Sequence, residues 1–285
     1  MRKLLVMLLA LGMLLADAFA LTLPEDIIDP PAGFDQRQEG VAYGQMRYKT
    51  YLSKTTGSFR DVMVLLPPDY SAETAYPVLY LLHGIGGDEN EWAGGKPDVV
   101  IGNLIAAGEA PPMIVVMPNI RARKNDAPNS ADMYSPEHFE AFDNFINDLR
   151  DDLMPFIEKE YLIAKGPKNT AIAGLSMGGR EALYIGLSIQ ETFGYIGAFC
   201  PAPGLLPYHA EKGLFQVEDF TDAAGTVPYI LINAGVNDFV VGDWPQTYSE
   251  TLGDNGTIHT FYTTLGGHDF NVWKHGLYNF ARNIF

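Results

Sequence analysis

The chain has 285 residues, 47% hydrophobic and 19% charged, which suits one large packed domain or two small ones and excludes disorder, collagen and coiled coil. Its 19 Lys and Arg stand against 35 Asp and Glu, a formal net charge of −16, and a surface that acidic repels nucleic acid and anionic lipid. The single cysteine, Cys200, leaves no internal disulfide and no cysteine zinc cluster.

Taken in chain order, Arg2 and Lys3, the apolar run Leu4 to Leu15 and the tripeptide Ala18-Phe19-Ala20 predict a secretory signal peptide over residues 1–20. The run is too short for a membrane span of roughly 20 apolar residues, so no membrane anchor is expected after cleavage. Loss of Arg2, Lys3 and Asp17 removes one net positive charge and takes −16 to −17. The expected mature protein is an acidic, exported chain, secreted or periplasmic, forming one domain over residues 21–285.

Residues 21 to about 45, with Pro24, Pro30, Pro31, Gly33, Gly40 and Gly44, read as an N-terminal arm. The alternating segments Met46 to Ser53 and Arg60 to Leu66 predict an antiparallel hairpin at one sheet edge. Short apolar runs follow at Val78 to Leu82, Met113 to Met117, Thr170 to Leu175, Tyr195 to Cys200 and Tyr229 to Asn233. Helix-like stretches separate them, notably Glu140 to Tyr161 and Met177 to Ile189. Continuous apolar strands alternating with helices predict an α/β fold, its mostly parallel sheet covered by helices on both faces. Ligands in such sheets bind beyond the carboxyl ends of the strands, so the residues after each strand are where chemistry belongs.

Gly174-Leu-Ser176-Met-Gly178 begins at the end of the strand Thr170 to Leu175 and opens a helix. This is a nucleophile elbow, a turn so sharp that side chains two positions either side of the serine would collide. The bland alternative is a glycine-rich turn with a capping serine. Serine needs a base, and the base an orienting carboxylate, in the chain order Ser, acid, His. His268 follows the strand-like Ile258 to Leu265 through Gly266-Gly267 and is the expected base. His259 reads as lying inside that strand, His275 in the following helix and His209 in a proline-rich loop. Asp238 is the first carboxylate beyond Tyr229 to Asn233 and the expected acid; Asp243, beside a helix start, is its rival. The oxyanion hole is expected from the N–H of Met177 and that of Ile85, with Gly86 as the alternative, in the loop His83-Gly84-Ile85-Gly86-Gly87. His83 reads as structural. No His-Glu-x-x-His pair exists, so neither metal nor cofactor is expected.

These motifs, His83 to Trp92, Gly174 to Gly179, Gly235 to Asp238 and Gly266 to Trp273, resemble the feruloyl and acetylxylan esterase group of carbohydrate esterases, notably the feruloyl esterase domains of bacterial xylanases. The resemblance runs from about residue 40 to the end. It implies an α/β-hydrolase fold, Ser176, Asp238 and His268 as the triad, and feruloylated or acetylated plant cell-wall polysaccharide as substrate. Trp92, Phe270 and Trp273 are candidates for an aromatic wall facing a hydroxycinnamoyl ring or a sugar. Residues 121–141 depart from the resemblance as a longer, more polar loop bordering the cleft. An acetyl or short-acyl esterase, an acyltransferase and an inactive carbohydrate-binding relative are the alternatives.

Overall fold

Val78–Leu82 is buried at all five positions, and its successive side chains serve two different layers. Val78, Tyr80 and Leu82 enter one core cluster, Leu79 and Leu81 the other. That is the two-residue period of a strand covered on both faces, and it explains why an uninterrupted apolar run is needed there. The computed structural model describes residues 26–128, 131–222, 225–227 and 229–285. The expected signal peptide lies outside them. Among the described residues no helix is long and apolar enough to cross a membrane.

Strands β1 (Gln45–Ser53) and β2 (Ser58–Leu66) form the expected antiparallel hairpin. The remaining strands are β3 (Val78–Leu82), β4 (Ile114–Pro118), β5 (Thr170–Leu175), β6 (Tyr195–Phe199), β7 (Tyr229–Gly235) and β8 (Thr260–Thr264). Together they make one eight-stranded sheet in the order β1-β2-β4-β3-β5-β6-β7-β8, parallel from β4 onward. The mostly parallel α/β sheet with an antiparallel N-terminal edge is therefore as the sequence predicts. Helices α1 (Pro97–Ala107) and α7 (Phe270–Arg282) cover one face. The other carries α2 (Pro136–Asp143), α3 (Phe145–Asp148), α4 (Met154–Glu160), α5 (Met177–Ser188) and α6 (Trp244–Asp254).

Two expectations need correction here. The helix over Glu140 to Tyr161 is not continuous: α2 starts earlier, where Pro136 sits in the first turn and the Ser135 hydroxyl accepts from His138 N–H, and a π-helical turn at Leu149–Leu153 separates α3 from α4. Asp148 and Asp152 beside this widened turn both hold the hairpin, Asp148 through Tyr51 and Arg60 and Asp152 through Thr55. Residues 121–141 are likewise not one polar loop, because 136–141 is helical and Arg121 is fully buried.

The strand order brings the chemistry together. Leu82 pairs with Gly174, Leu175 with Phe199, Phe199 with Asn233 and Gly235 with Thr264, so the carboxyl ends of β3, β5, β6, β7 and β8 finish side by side. The arm is tied across the same sheet, with Asp26 accepting from Tyr229 and Thr260, and Ile28 exchanging two hydrogen bonds with Asn279.

Candidate active site

Ser176 lies between β5 and α5 with φ at 52°, a left-handed conformation that a non-glycine residue adopts at a cost of about 1–3 kcal/mol. The surroundings hold it there. Its N–H donates to Phe199 carbonyl at 2.8 Å, and its own carbonyl accepts from Arg180 and Ala202 N–H, each at 3.0 Å. The flanking glycines are forced by packing: a Cβ on Gly174 would run into the Gly178 backbone, and one on Gly178 into the Leu82 and His83 carbonyls. The first turn of α5 thus presses against both β5 and the end of β3, and a side chain at Gly174 would push it off the one, a side chain at Gly178 off the other.

His268 Nε2 stands 2.9 Å from Ser176 Oγ, and His268 Nδ1 2.7 Å from Asp238 Oδ2. Asp238 is held in turn by Val240 and Val241 N–H, which donate to its other oxygen at 3.0 and 3.2 Å. The Asp238 side chain is 1% exposed and that of His268 13%, so the chain of hydrogen bonds starts in a dry interior. With Nδ1–H donated to the carboxylate, Nε2 is free to accept the serine proton.

The rival residues are occupied elsewhere. Asp243 precedes α6 without a side-chain cap hydrogen bond, and its carbonyl accepts from Thr247. His259 lies just before β8 rather than within it and bonds Ser249 at 2.7 Å. His275 is buried on α7 against Tyr262 and Asp29. His83 uses both ring nitrogens, one on the Gly84 carbonyl at 2.6 Å and the other accepting Ile120 N–H at 2.8 Å. Burial pushes the His83 pKa down to about 3, so the ring is neutral at any working pH.

The loop after β3 is clasped from three sides. Gly84 N–H donates to the half-buried Glu91 carboxylate at 2.6 Å, and Gly87 N–H turns back to Gly84 carbonyl at 3.1 Å. Buried Arg121 bonds the Gly87 carbonyl, and His138, whose pKa burial lowers, donates from Nε2 to the Ile85 carbonyl at 3.3 Å. The Ile85, Gly86 and Met177 N–H groups have no hydrogen-bond acceptor among the described residues. Sequence reasoning did not single out Glu91, Arg121 or His138 as positioning residues, although Glu91 lies inside the His83 to Trp92 motif.

The aromatic wall is a correction. Trp92 is 1% exposed, its indole N–H donates to Leu82 carbonyl at 2.8 Å, and its ring packs edge-on against Phe199 and Phe270. Phe270 fills the space left by Gly94 and Gly95. Trp273 is also buried and meets the His268 ring edge-on at 5.1 Å, which braces the imidazole from behind. Trp92 and Trp273 support the site from the core and do not form a cleft wall, while Phe270 is half-buried and packs against both.

Cys200, Asp238 and His268 place ligand atoms within 4.8 Å of one another. Their chemistry does not suit a metal: Asp238 Oδ2 and His268 Nδ1 are spent on each other, and burial pushes the Cys200 thiol up, away from the thiolate a metal needs. Activity is therefore expected to survive EDTA unchanged; loss on chelation and recovery with a divalent ion would contradict this assignment.

Behind the elbow, α5 carries a buried ionic cluster in which Arg180 bonds both Asp143 and Glu181. Burial lifts the Glu181 carboxyl to about 7, against the pull of Arg180. The unfolded chain ionises near the ordinary value of 4.5, so between 4.5 and about 7 the folded state binds more protons, and this group makes stability fall as pH rises through that window. Glu181→Gln is expected to flatten the dependence. Melting temperatures at about pH 5 and about pH 8 check it, the variant losing less than the parent.

Fold and site together define an α/β-hydrolase whose serine, histidine and aspartate form one hydrogen-bonded chain. The Esterase family model matches residues 53–226, and the chain belongs to that family of carboxylic-ester hydrolases. A CE1 ferulic acid esterase from Anaeromyces mucronatus is 36% identical, with 93% of this chain matched to 98% of that one; the TM-score is 0.85 to its complex with ferulic acid and 0.83 to the form without substrate. An endo-1,4-beta-xylanase/feruloyl esterase from Xylanibacter ruminicola is 31% identical over 263 residues, 87% of this chain and 32% of that protein. Endo-1,4-beta-xylanase Y from Acetivibrio thermocellus is 28% identical over 159 residues, 51% of this chain and 13% of that protein. The chain thus spans a third or less of the length of these two curated relatives. The resemblance to feruloyl esterases read from the motifs is borne out.

Proposed function

We propose that the protein is a secreted serine esterase that removes feruloyl groups from plant cell-wall xylan through an acyl-enzyme, with Ser176, His268 and Asp238 as the triad. The observation that carries this reading is the 36% identity to a ferulic acid esterase across 93% of the chain, joined to the 2.9 and 2.7 Å hydrogen bonds of the triad.

Ser176 Oγ attacks the ester carbonyl as His268 Nε2 takes its proton, and the carbonyl oxygen becomes an oxyanion received by the Met177 and Ile85 N–H groups. Gly86 is the alternative donor in that loop. Asp238 stabilises the imidazolium. His268 then returns the proton to the departing sugar hydroxyl, leaving feruloyl on Ser176. Water repeats the cycle and releases ferulate. The basic and apolar N-terminus supports export to the periplasm or medium.

A second reading, an acetyl or short-acyl carbohydrate esterase, is favoured by one relative: an acetyl esterase from Caldicellulosiruptor saccharolyticus is 26% identical over 209 residues. Hydrolysis of methyl ferulate compared with acetylated xylan separates the two. A higher kcat/KM on the ferulate ester is expected; the reverse order would establish the acetyl reading.

A further inference from the structure

One cavity of about 640 Å³ lies between the segment after β6 and the segment after β7, and a second of the same volume lies between the segment after β6 and helix α2. They share Pro203, Leu206, Tyr208 and Trp244, so they form one trough divided by a ridge. The ridge is aromatic. Tyr208 is 56% exposed, and its ring meets Trp244 edge-on at 5.3 Å, with Trp244 backed by buried Tyr248. One half of the trough is flanked by Phe239 and Val240, both exposed and immediately following Asp238. The other is flanked by Tyr134 and Phe139.

The trough is fixed to the triad. Ala202 N–H donates to the Ser176 carbonyl, and the Tyr248 hydroxyl bonds the Ala202 carbonyl at 2.9 Å and accepts Leu205 N–H at 3.3 Å. On the far wall, Val240 and Val241 N–H hold the Asp238 carboxylate. Both sides of the trough are thus anchored to the residues that do the chemistry.

Its polar groups point to a ligand. Arg180, one helical turn after Ser176, lines the trough with its side chain 5% exposed, and its Nε has no partner among the described residues. Gly204, at φ 111°, faces that atom, and a Cβ there would stand 3.1 Å from Nε. That atom is closed off behind Gly204, so Arg180 shapes the floor of the trough while its guanidinium pairs with Asp143 and Glu181. Glu211, Asp243, Thr247 and Thr251 supply further hydrogen-bonding groups around the aromatic ridge. Glu140, Asp143, Glu211 and Asp243 outnumber Arg180 and Lys212 along the trough, which on a chain of net charge −16 disfavours a polyanion, and the carboxylates accept from hydroxyls. Single small-ligand pockets span roughly 300–1,000 Å³, so two of them in a row exceed what one acyl group fills.

We propose that this trough binds the neutral carbohydrate chain that carries the ester, with Tyr208 and Trp244 as a platform between two sugar subsites. This rests on the esterase reading for its substrate class, but it is tested without turnover. Calorimetric titration of the Ser176→Ala protein with an unesterified arabinoxylan oligosaccharide is expected to show binding, weakened about tenfold by adding Tyr208→Ala and restored by Tyr208→Phe, which keeps the ring. In the active protein, Tyr208→Ala is expected to lower the ratio of kcat/KM for a feruloylated arabinoxylan oligosaccharide to that for methyl ferulate by about the same factor, through KM. No binding by the Ser176→Ala protein, or equal binding with and without the Tyr208 ring, overturns the proposal. Absence of turnover on every ester, with the oligosaccharide still bound through Tyr208, would instead overturn the esterase reading and leave the trough standing.

Discussion

Ser176→Ala is expected to leave a folded protein whose turnover of ferulate esters falls by on the order of a millionfold, since no other group in the site can take over the attack. His83 is neutral with both nitrogens engaged, and Cys200 is buried with its thiol held protonated. The same change releases the strain of a left-handed, β-substituted residue only slightly, because alanine also carries a Cβ, so melting temperature is expected to stay close to that of the parent. Steady-state kinetics together with a thermal melt check both halves. Near-parental rates in a folded alanine variant would remove Ser176 from the mechanism.

Asp238→Asn is expected to slow turnover by about a thousandfold or more. An amide at this position has no negative charge for the imidazolium, and its NH₂ cannot accept from His268 Nδ1–H, so the ring is pushed toward the wrong tautomer. The Val240 and Val241 N–H groups hold whichever oxygen they meet, which restricts the amide's freedom to compensate. Asp243→Asn is the control with methyl ferulate, which carries no sugar for the trough: that side chain makes no cap hydrogen bond and stands apart from the triad's hydrogen bonds, so a change of less than about twofold is expected on this substrate. Kinetics of the two variants side by side decide the matter, and a larger loss at Asp243 would reassign the acid.

Much of this arrangement is legible in the sequence because strand ends are. β3 is an uninterrupted apolar run and β5 and β7 are largely apolar, and in a parallel sheet such runs mark both buried faces and the loops that carry function. Gly174 and Gly178 announce the elbow through packing that tolerates no Cβ. Other features were hidden by long-range partners. Trp92 reads as an exposed aromatic beside a motif, yet its burial depends on Leu82, Phe199 and Phe270, up to 178 positions away, which no local pattern encodes. Helix α1 has little amphipathic contrast because most of it is buried between the arm and α7, so its apolar residues give no clear stripe. The break of the Glu140 to Tyr161 helix serves Asp148 and Asp152, whose partners Tyr51, Arg60 and Thr55 come from the hairpin far upstream. Arg121 lies in what reads as a polar loop, and only the fold reveals that it is spent on the Gly87 and Asp126 carbonyls.

The central claim is that Ser176 carries a feruloyl group during turnover. Rapid quenching of the protein with methyl ferulate, followed by mass spectrometry of the intact chain and of its peptides, tests this directly. A transient mass increase of one feruloyl group is expected, found on the peptide containing Ser176 and missing from the Ser176→Ala protein. Ferulate release with no covalent species at any quench time, or a label on a different residue, would contradict it.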